Sequence, residues 1–284
     1  AENRDLASPS RQEFEELRRA FAEGDYSPLP DQAADYLERY PNSRYRPEVA
    51  WLEAEARFSL GELLPASRSY LAYLKDYPGT SKMEVLIERE YGIGRKLVRG
   101  ALTPFLGINL FPRRGKGKEV LEKLIESFPR HPRAADAVIE LARFHQEERE
   151  FELSRHWYQQ LMRDYPDSPW VDFARFSRGE TWYASSEGYR YDPAPREEAL
   201  AAFSSYLELS PDGGRSELAR DRVKELRDSL ARYLREIGDF YRRRSRETGA
   251  RLYYQLCRSR FPDTEGSRQA GEELGRLPPE APSP

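Results

Sequence analysis

The stretch PEVAWLEAEARFSLGELLPASRSYLAYLKDYP, residues 47–78, decides the fold. Trp51, Ala54 and Phe58 recur at helical spacing, Gly61 interrupts the chain, and Ala66, Tyr70, Tyr73 and Leu74 resume the spacing until Pro78 stops it. The pattern predicts two antiparallel helices. The small Ala54 and Ala66 let the two approach closely, and Tyr70 and Leu74 fill the space between neighbouring hairpins.

The unit recurs along the chain, which makes it a repeat rather than an isolated hairpin. Its closure appears as Tyr40-Pro41-Asn42-Ser43, Tyr77-Pro78-Gly79-Thr80, Phe128-Pro129, Tyr165-Pro166-Asp167-Ser168 and Phe261-Pro262-Asp263-Thr264, with a weaker Ser210-Pro211-Asp212. Pro41 to Pro78 and Pro129 to Pro166 are both 37 residues, and the longer intervals of 51, 45 and 51 are the same unit carrying insertions. Subtracting 37 from the template places Leu17, Phe21, Gly24, Ala33, Tyr36 and Leu37 on it; adding 88 places Ile139, Ala142, Ser154, Tyr158, Leu161 and Met162; adding 184 places Gly238, Ala250, Tyr254 and Cys257.

The expected fold is therefore all-α: a right-handed superhelical solenoid of about six tetratricopeptide-like hairpins, over residues 11–41, 44–78, 81–129, 132–166, 169–211 and 215–262. The first helix of the last hairpin, Ser216 to Arg244, is unusually long, and a short helix near Ser267 to Leu277 covers the final apolar edge. The expected organisation is a polar linker over 1–10, three N-terminal repeats over 11–129 with an insertion near 99–116, three C-terminal repeats and a capping helix over 130–277, and a proline-rich tail over 278–284.

Composition limits the functions open to such an array. With 18 Tyr, 13 Phe and 4 Trp the chain has large groups that must be buried, which excludes a disordered protein. Its 46 basic and 49 acidic residues are mixed along the sequence, so there is no single-signed field to attract nucleic acid. Cys257, the only cysteine, rules out an intrachain disulfide and any multi-thiolate metal site, and in the repeat register it takes the slot of Tyr73 and Leu161 as a small buried group.

The longest apolar run, Ala101 to Pro112, is broken by Pro104 and Gly107 and is too short to span a bilayer. The opening AENRDLASPS lacks the features of a leader, so the expectation is either a cytoplasmic chain or one from which a targeting segment was removed. His131, His145 and His156 share no ligand-like spacing, and His131 is read as a turn residue. No GxSxG, phosphate-cradling glycine loop or HExxH is present. No enzyme, metal or cofactor is expected.

Two further segments narrow the reading. Gly24-Asp25-Tyr26 precedes a helix ending Tyr40-Pro41-Asn42-Ser43-Arg44-Tyr45, and the last hairpin runs from Ile237-Gly238-Asp239-Phe240-Tyr241 through Gly249-Ala250-Arg251 to Arg260-Phe261-Pro262-Asp263-Thr264. In these the chain resembles the BamD (YfiO) family of lipid-anchored tetratricopeptide proteins of the outer-membrane β-barrel assembly machinery. It departs from the family pattern at Tyr253, where an arginine is expected.

The resemblance implies a non-catalytic scaffold on the periplasmic face of the outer membrane, tethered through a lipidated cysteine that would lie upstream of Ala1. It implies unfolded outer-membrane protein segments bound on the N-terminal repeats and a β-barrel assembly subunit docked on the C-terminal ones. Carried onto this sequence, docking falls to Tyr241, Arg242, Arg243 and Arg244, although basic residues there also complement the dipole at the end of the long helix. The alternative function is a general tetratricopeptide adaptor for a cytoplasmic or cell-envelope complex.

Candidate peptide-binding residues are Trp51, Glu55 and Phe58, with Phe14, Arg18 and Phe21 as their counterparts in the first hairpin and Ile139, Arg143 and Gln146 in the fourth. They are read as facing outward from the core, where alternating aromatic and charged groups suit a peptide with apolar anchors; the other reading makes Trp51 and Phe58 simply core. A candidate interface insertion places Phe105, Leu106, Leu110 and Phe111 before the basic run Arg113 to Lys118, to dock on an anionic surface or to fold back on the array.

Overall fold

In the computed structural model, which describes residues 9–101, 113–186 and 192–279, every helix of the repeat forms where the closures place it. The first hairpin is α1 (Pro9–Glu23) and α2 (Leu29–Arg39), and the second is α3 (Arg46–Ser59) and α4 (Leu63–Asp76). The third is α5 (Met83–Val98) and α6 (Arg114–Ser127), and the fourth is α7 (Pro132–Glu147) and α8 (Phe151–Asp164). The fifth is α9 (Val171–Ser185) and α10 (Ala194–Leu209), the sixth is α11 (Ser216–Arg243) and α12 (Glu247–Arg260), and α13 (Glu265–Arg276) follows. At 28 residues α11 is roughly 42 Å long.

A single rule ends every second helix. Tyr40, Tyr77, Phe128, Tyr165, Ser210 and Phe261 adopt nearly the same conformation, with φ between -138° and -121° and ψ between 53° and 64°. Each precedes a proline, whose Cδ excludes the α region for the residue before it. At three of these closures a hydroxyl three residues on then starts the next hairpin. Ser43 accepts from the Tyr45 backbone N–H (3.2 Å) and shares a hydrogen bond with the Tyr36 hydroxyl (2.7 Å). Thr80 does the same with Lys82 (3.1 Å) and Tyr73 (2.7 Å), and Ser168 accepts from Trp170 (3.3 Å).

Inside the hairpins the turn needs one left-handed residue. Gly24 (φ 80°), Gly61 (φ 76°) and Gly100 (φ 88°) supply it in the first three, but Arg149 (φ 61°) and Ser245 (φ 55°) hold the equivalent positions in the fourth and sixth. A residue with a Cβ is strained there. Replacing Ser245, which is exposed, with glycine is therefore expected to stabilise the terminal hairpin by about 1 kcal/mol. Denaturant unfolding of the S245G chain would measure it, and no gain would mean that the turn holds Ser245 without strain.

The chain divides into two compact units, Ala1–Phe144 and His145–Pro284. The boundary lies within α7, one helix after the 129/130 division expected from the repeats. In the first unit α1 packs on α2 and α3, and each helix from α2 to α5 packs on its successor. One core gathers Phe14, Leu17, Leu29, Ala33 and Tyr36 with Val49; the next gathers Trp51, Ala54, Tyr70 and Tyr73 with Leu86, Ile93 and Leu97. In the second unit each helix from α8 to α12 packs on its successor, and α13 covers α11 and α12. Its cores centre on Phe176, Phe203 and Tyr206 and on Leu230, Leu234, Tyr254 and Cys257. Cys257 is fully buried, as its register position requires.

A glycine on three of the first helices admits a large group from the second helix. A Cβ on Gly238 would come within 2.5 Å of the Tyr254 ring, one on Gly179 within 2.7 Å of Phe203, and one on Gly94 within 2.6 Å of Leu121. The buried tyrosines then reach across to an acceptor on the first helix. Tyr70 donates to Glu55 (2.5 Å), Tyr254 to Asp239 (2.6 Å) and Tyr158 to the Gln146 side chain (2.9 Å). Burial first and the Asp239 carboxylate second push the Tyr254 hydroxyl up to about 12, so it donates at any physiological pH.

Candidate partner-binding surfaces

Successive first helices are joined by charged pairs. Arg89 on α5 grips Glu55 on α3 with two hydrogen bonds (3.0 and 2.9 Å). Glu140 on α7, almost fully buried, takes Arg99, the residue just past α5, in the same two-point manner (3.0 and 2.6 Å), with Arg95 of α5 at 3.7 Å. Arg133 at the start of α7 reaches Glu88 (2.6 Å), and His131 reaches Glu84 (3.1 Å). In the second unit Arg222 of α11 binds Glu180 of α9 (3.0 Å) while lying over the Tyr183 ring (4.1 Å). Buried carboxylates are tolerated here because each meets a planar guanidinium.

These pairs correct part of the sequence reading. Glu55 does not face outward: it is buried beneath Arg89 and Tyr70.

 The Tyr70 hydroxyl fixes one oxygen of that carboxylate, and Arg89 holds both. Trp51 is also core, 9% exposed, its ring against Tyr70 (5.5 Å) and Tyr73 (5.3 Å) and its outer face under Lys82 (5.1 Å). Phe14 is buried flat against Tyr45 (4.5 Å, 10°), and Ile139 lies in the interior of α7. Because the neighbouring hairpin covers these positions, an outward-looking stripe on one helix becomes an internal layer.

What stays accessible is narrower. Phe58 is half-buried with Arg89 (4.6 Å) and Lys96 (5.1 Å) over its ring. Phe21 is half-buried on Tyr26 (5.2 Å), and Arg18 is exposed, paired with Glu15 (2.6 Å). At Phe58 the accessible surface of the first unit is thus cations laid over an aromatic ring.

At the other end of the chain, Tyr241 stacks on Tyr253 (5.6 Å, 12°), the position where the resemblance led to the expectation of an arginine. Arg242 is turned back to Glu273 on α13 (3.2 Å). Arg243 and Arg244 are exposed, and Arg244 lies over the Phe240 ring (4.4 Å), which is itself 43% exposed. Phe240, Tyr241 and Arg243 line one shallow cleft with Tyr233, Glu236, Ile237 and Asp239. Phe105, Leu106, Leu110 and Phe111 lie outside the described residues. Among the described residues no helix is long and apolar enough to cross a membrane.

Hairpins closed by proline and stacked through their first helices define a tetratricopeptide-like all-α repeat protein. The sequence matches the family described as YfiO, outer membrane lipoprotein, over residues 114–274, more than half of the chain, and the chain belongs to that family. No curated protein matches it significantly. Among solved structures it is similar to a tetratricopeptide repeat protein from Parabacteroides merdae, with 12% identity, 93% of this chain and 98% of that chain covered, and a TM-score of 0.38. It is similar also to PilW, a type IV pilus biogenesis factor (15% identity, 93% and 99% covered, TM-score 0.33), and to BtubC from P. vanneervenii (14%, 98% and 96%, 0.34).

Proposed function

We propose that the chain is a non-catalytic scaffold of outer-membrane β-barrel assembly, held at the periplasmic face of the outer membrane by a lipid anchor upstream of Ala1. Membership of the outer membrane lipoprotein family carries this reading. Unfolded outer-membrane protein segments bind on the first unit, where Arg18, Phe21 and Phe58 offer cations beside accessible rings; Phe14, Trp51 and Glu55 support that surface from beneath. A β-barrel assembly subunit docks on the terminal hairpin through Tyr241, Arg243 and Arg244, with Arg242 holding α13 in place. Exposed arginines beside a ring suit an acidic partner surface with an apolar anchor.

Photo-cross-linking residues placed at Phe58 and at Arg244 in a native envelope test the two surfaces separately. The expected result is barrel precursors captured from position 58 and an assembly subunit from position 244. Capture of neither class from either position would overturn the reading.

A further inference from the structure

The second unit contains a groove that neither proposed surface uses. It runs between α8, α9 and α10, and the small Ala201 and Ala202 are part of its lining. Arg155 of α8 lies face-on to Trp182 of α9, 3.6 Å from the ring centroid. Its Nη1 is shielded from solvent and has no hydrogen-bond partner, and the same holds for Nε of Arg178, one turn before Trp182 on α9. Burial lowers the Arg155 guanidinium below its ordinary value, against the opposing pull of Glu152 and Glu198. An unsatisfied arginine donor is costly unless an acceptor reaches it, and of the two it is Arg178 that lies where the groove's other arginines gather.

The groove is also polarised. At one end Arg178 is joined by Arg175 and Arg163, beside Met162 and Leu209, and the groove there has no carboxylate in its lining; Asp164 pairs with Arg163 from outside it (2.7 Å). At the other end Glu152 and Glu198 stand beside Arg155. Gln159, at the basic end, and Glu152 are seven residues apart on α8, about 10 Å along its axis, which three residues of extended chain would span.

We propose that this groove binds an extended segment of a partner polypeptide through an aspartate or glutamate side chain. The carboxylate sits against Arg175 and Arg178, and a basic side chain three residues away meets Glu152 and Glu198. Trp182, with Arg155 stacked on it, forms the wall against which the segment lies. A side chain rather than a chain terminus is the occupant because charged groups of both signs line the groove along its length, which suits a segment running through it.

The test is calorimetric titration of the full chain with the end-blocked peptide acetyl-Ala-Glu-Ala-Ala-Lys-Ala-amide, beside the same peptide with Gln for Glu. The expected result is binding at least tenfold tighter for the Glu peptide, with Arg175→Gln and Arg178→Gln each removing most of that difference while the chain's circular dichroism stays unchanged. Equal binding of the two peptides, or undiminished preference in both variants, would overturn the proposal. So would equally tight binding of the Gln peptide carrying a free C-terminal carboxylate, which would place the acceptor at a terminus. Failure of the cross-linking test above leaves this outcome unaffected, since no residue is shared.

Discussion

Replacing Tyr70 with alanine is expected to destabilise the first unit by about 3–5 kcal/mol, the range for removing a fully buried aromatic side chain. Tyr70 has no exposed surface, and it joins α3, α4 and α5 by packing with Trp51, Leu86 and Ile93. Its loss opens a cavity between two hairpins, and in a stacked array that weakens the interface as well as the hairpin itself. Hydrogen exchange within α3, α4 and α5 is the suitable measurement, because the chain comprises two units and a single melting temperature would blend them.

Tyr70→Phe separates packing from hydrogen bonding. Burial first and Glu55 second raise the Tyr70 hydroxyl well above its ordinary value, so it remains a donor to Glu55. The Phe variant keeps the ring and leaves Glu55 with Arg89 alone, at an expected cost of about 1–2 kcal/mol. If the two substitutions cost the same, the hydrogen bond rather than the ring holds these hairpins together.

The second large effect is a pH dependence. Glu90 on α5 is 4% exposed; Ser67 donates one hydrogen bond to it (2.8 Å), and its other oxygen has no partner. Burial, only partly opposed by Ser67 and Lys123, pushes its carboxyl from 4.5 up to about 7. The folded state thus holds this proton more tightly than the unfolded chain does. Stability is retained below about pH 4.5, falls as pH rises toward 7, and stays lower above it, with a total loss of roughly 3 kcal/mol from this group.

Glu90→Gln removes the titration. Relative to the native chain the variant should gain up to roughly 3 kcal/mol at pH 8 and nothing at pH 4.5. Urea unfolding of both proteins across that range, followed in the first unit, measures the difference directly. A difference that does not change with pH would mean that Glu90 ionises without penalty, contrary to its surroundings.

The sequence by itself determined the hairpins. Proline after an aromatic residue stops a helix by local sterics, at three closures a hydroxyl three residues later begins the next one, and glycines on three first helices leave room for large side chains on second helices. All of these act over a few residues or one repeat, so a fixed register exposes them. The left-handed turn residues Arg149 and Ser245 were concealed only because glycine, its usual marker, is replaced there.

Tertiary structure decided which side of each first helix is inside. Trp51 and Phe14 carry the same apolar pattern whether they face a ligand or a neighbour, and α4, α5 and Tyr45 settle it by covering them. Glu55 looks like a solvated charge until Arg89, 34 residues away, arrives to neutralise it. The groove at Arg155 and Trp182 was invisible for the same reason. Burial of a charge depends on what the chain brings back to it from another hairpin, and that information lies in the packing rather than in any local pattern.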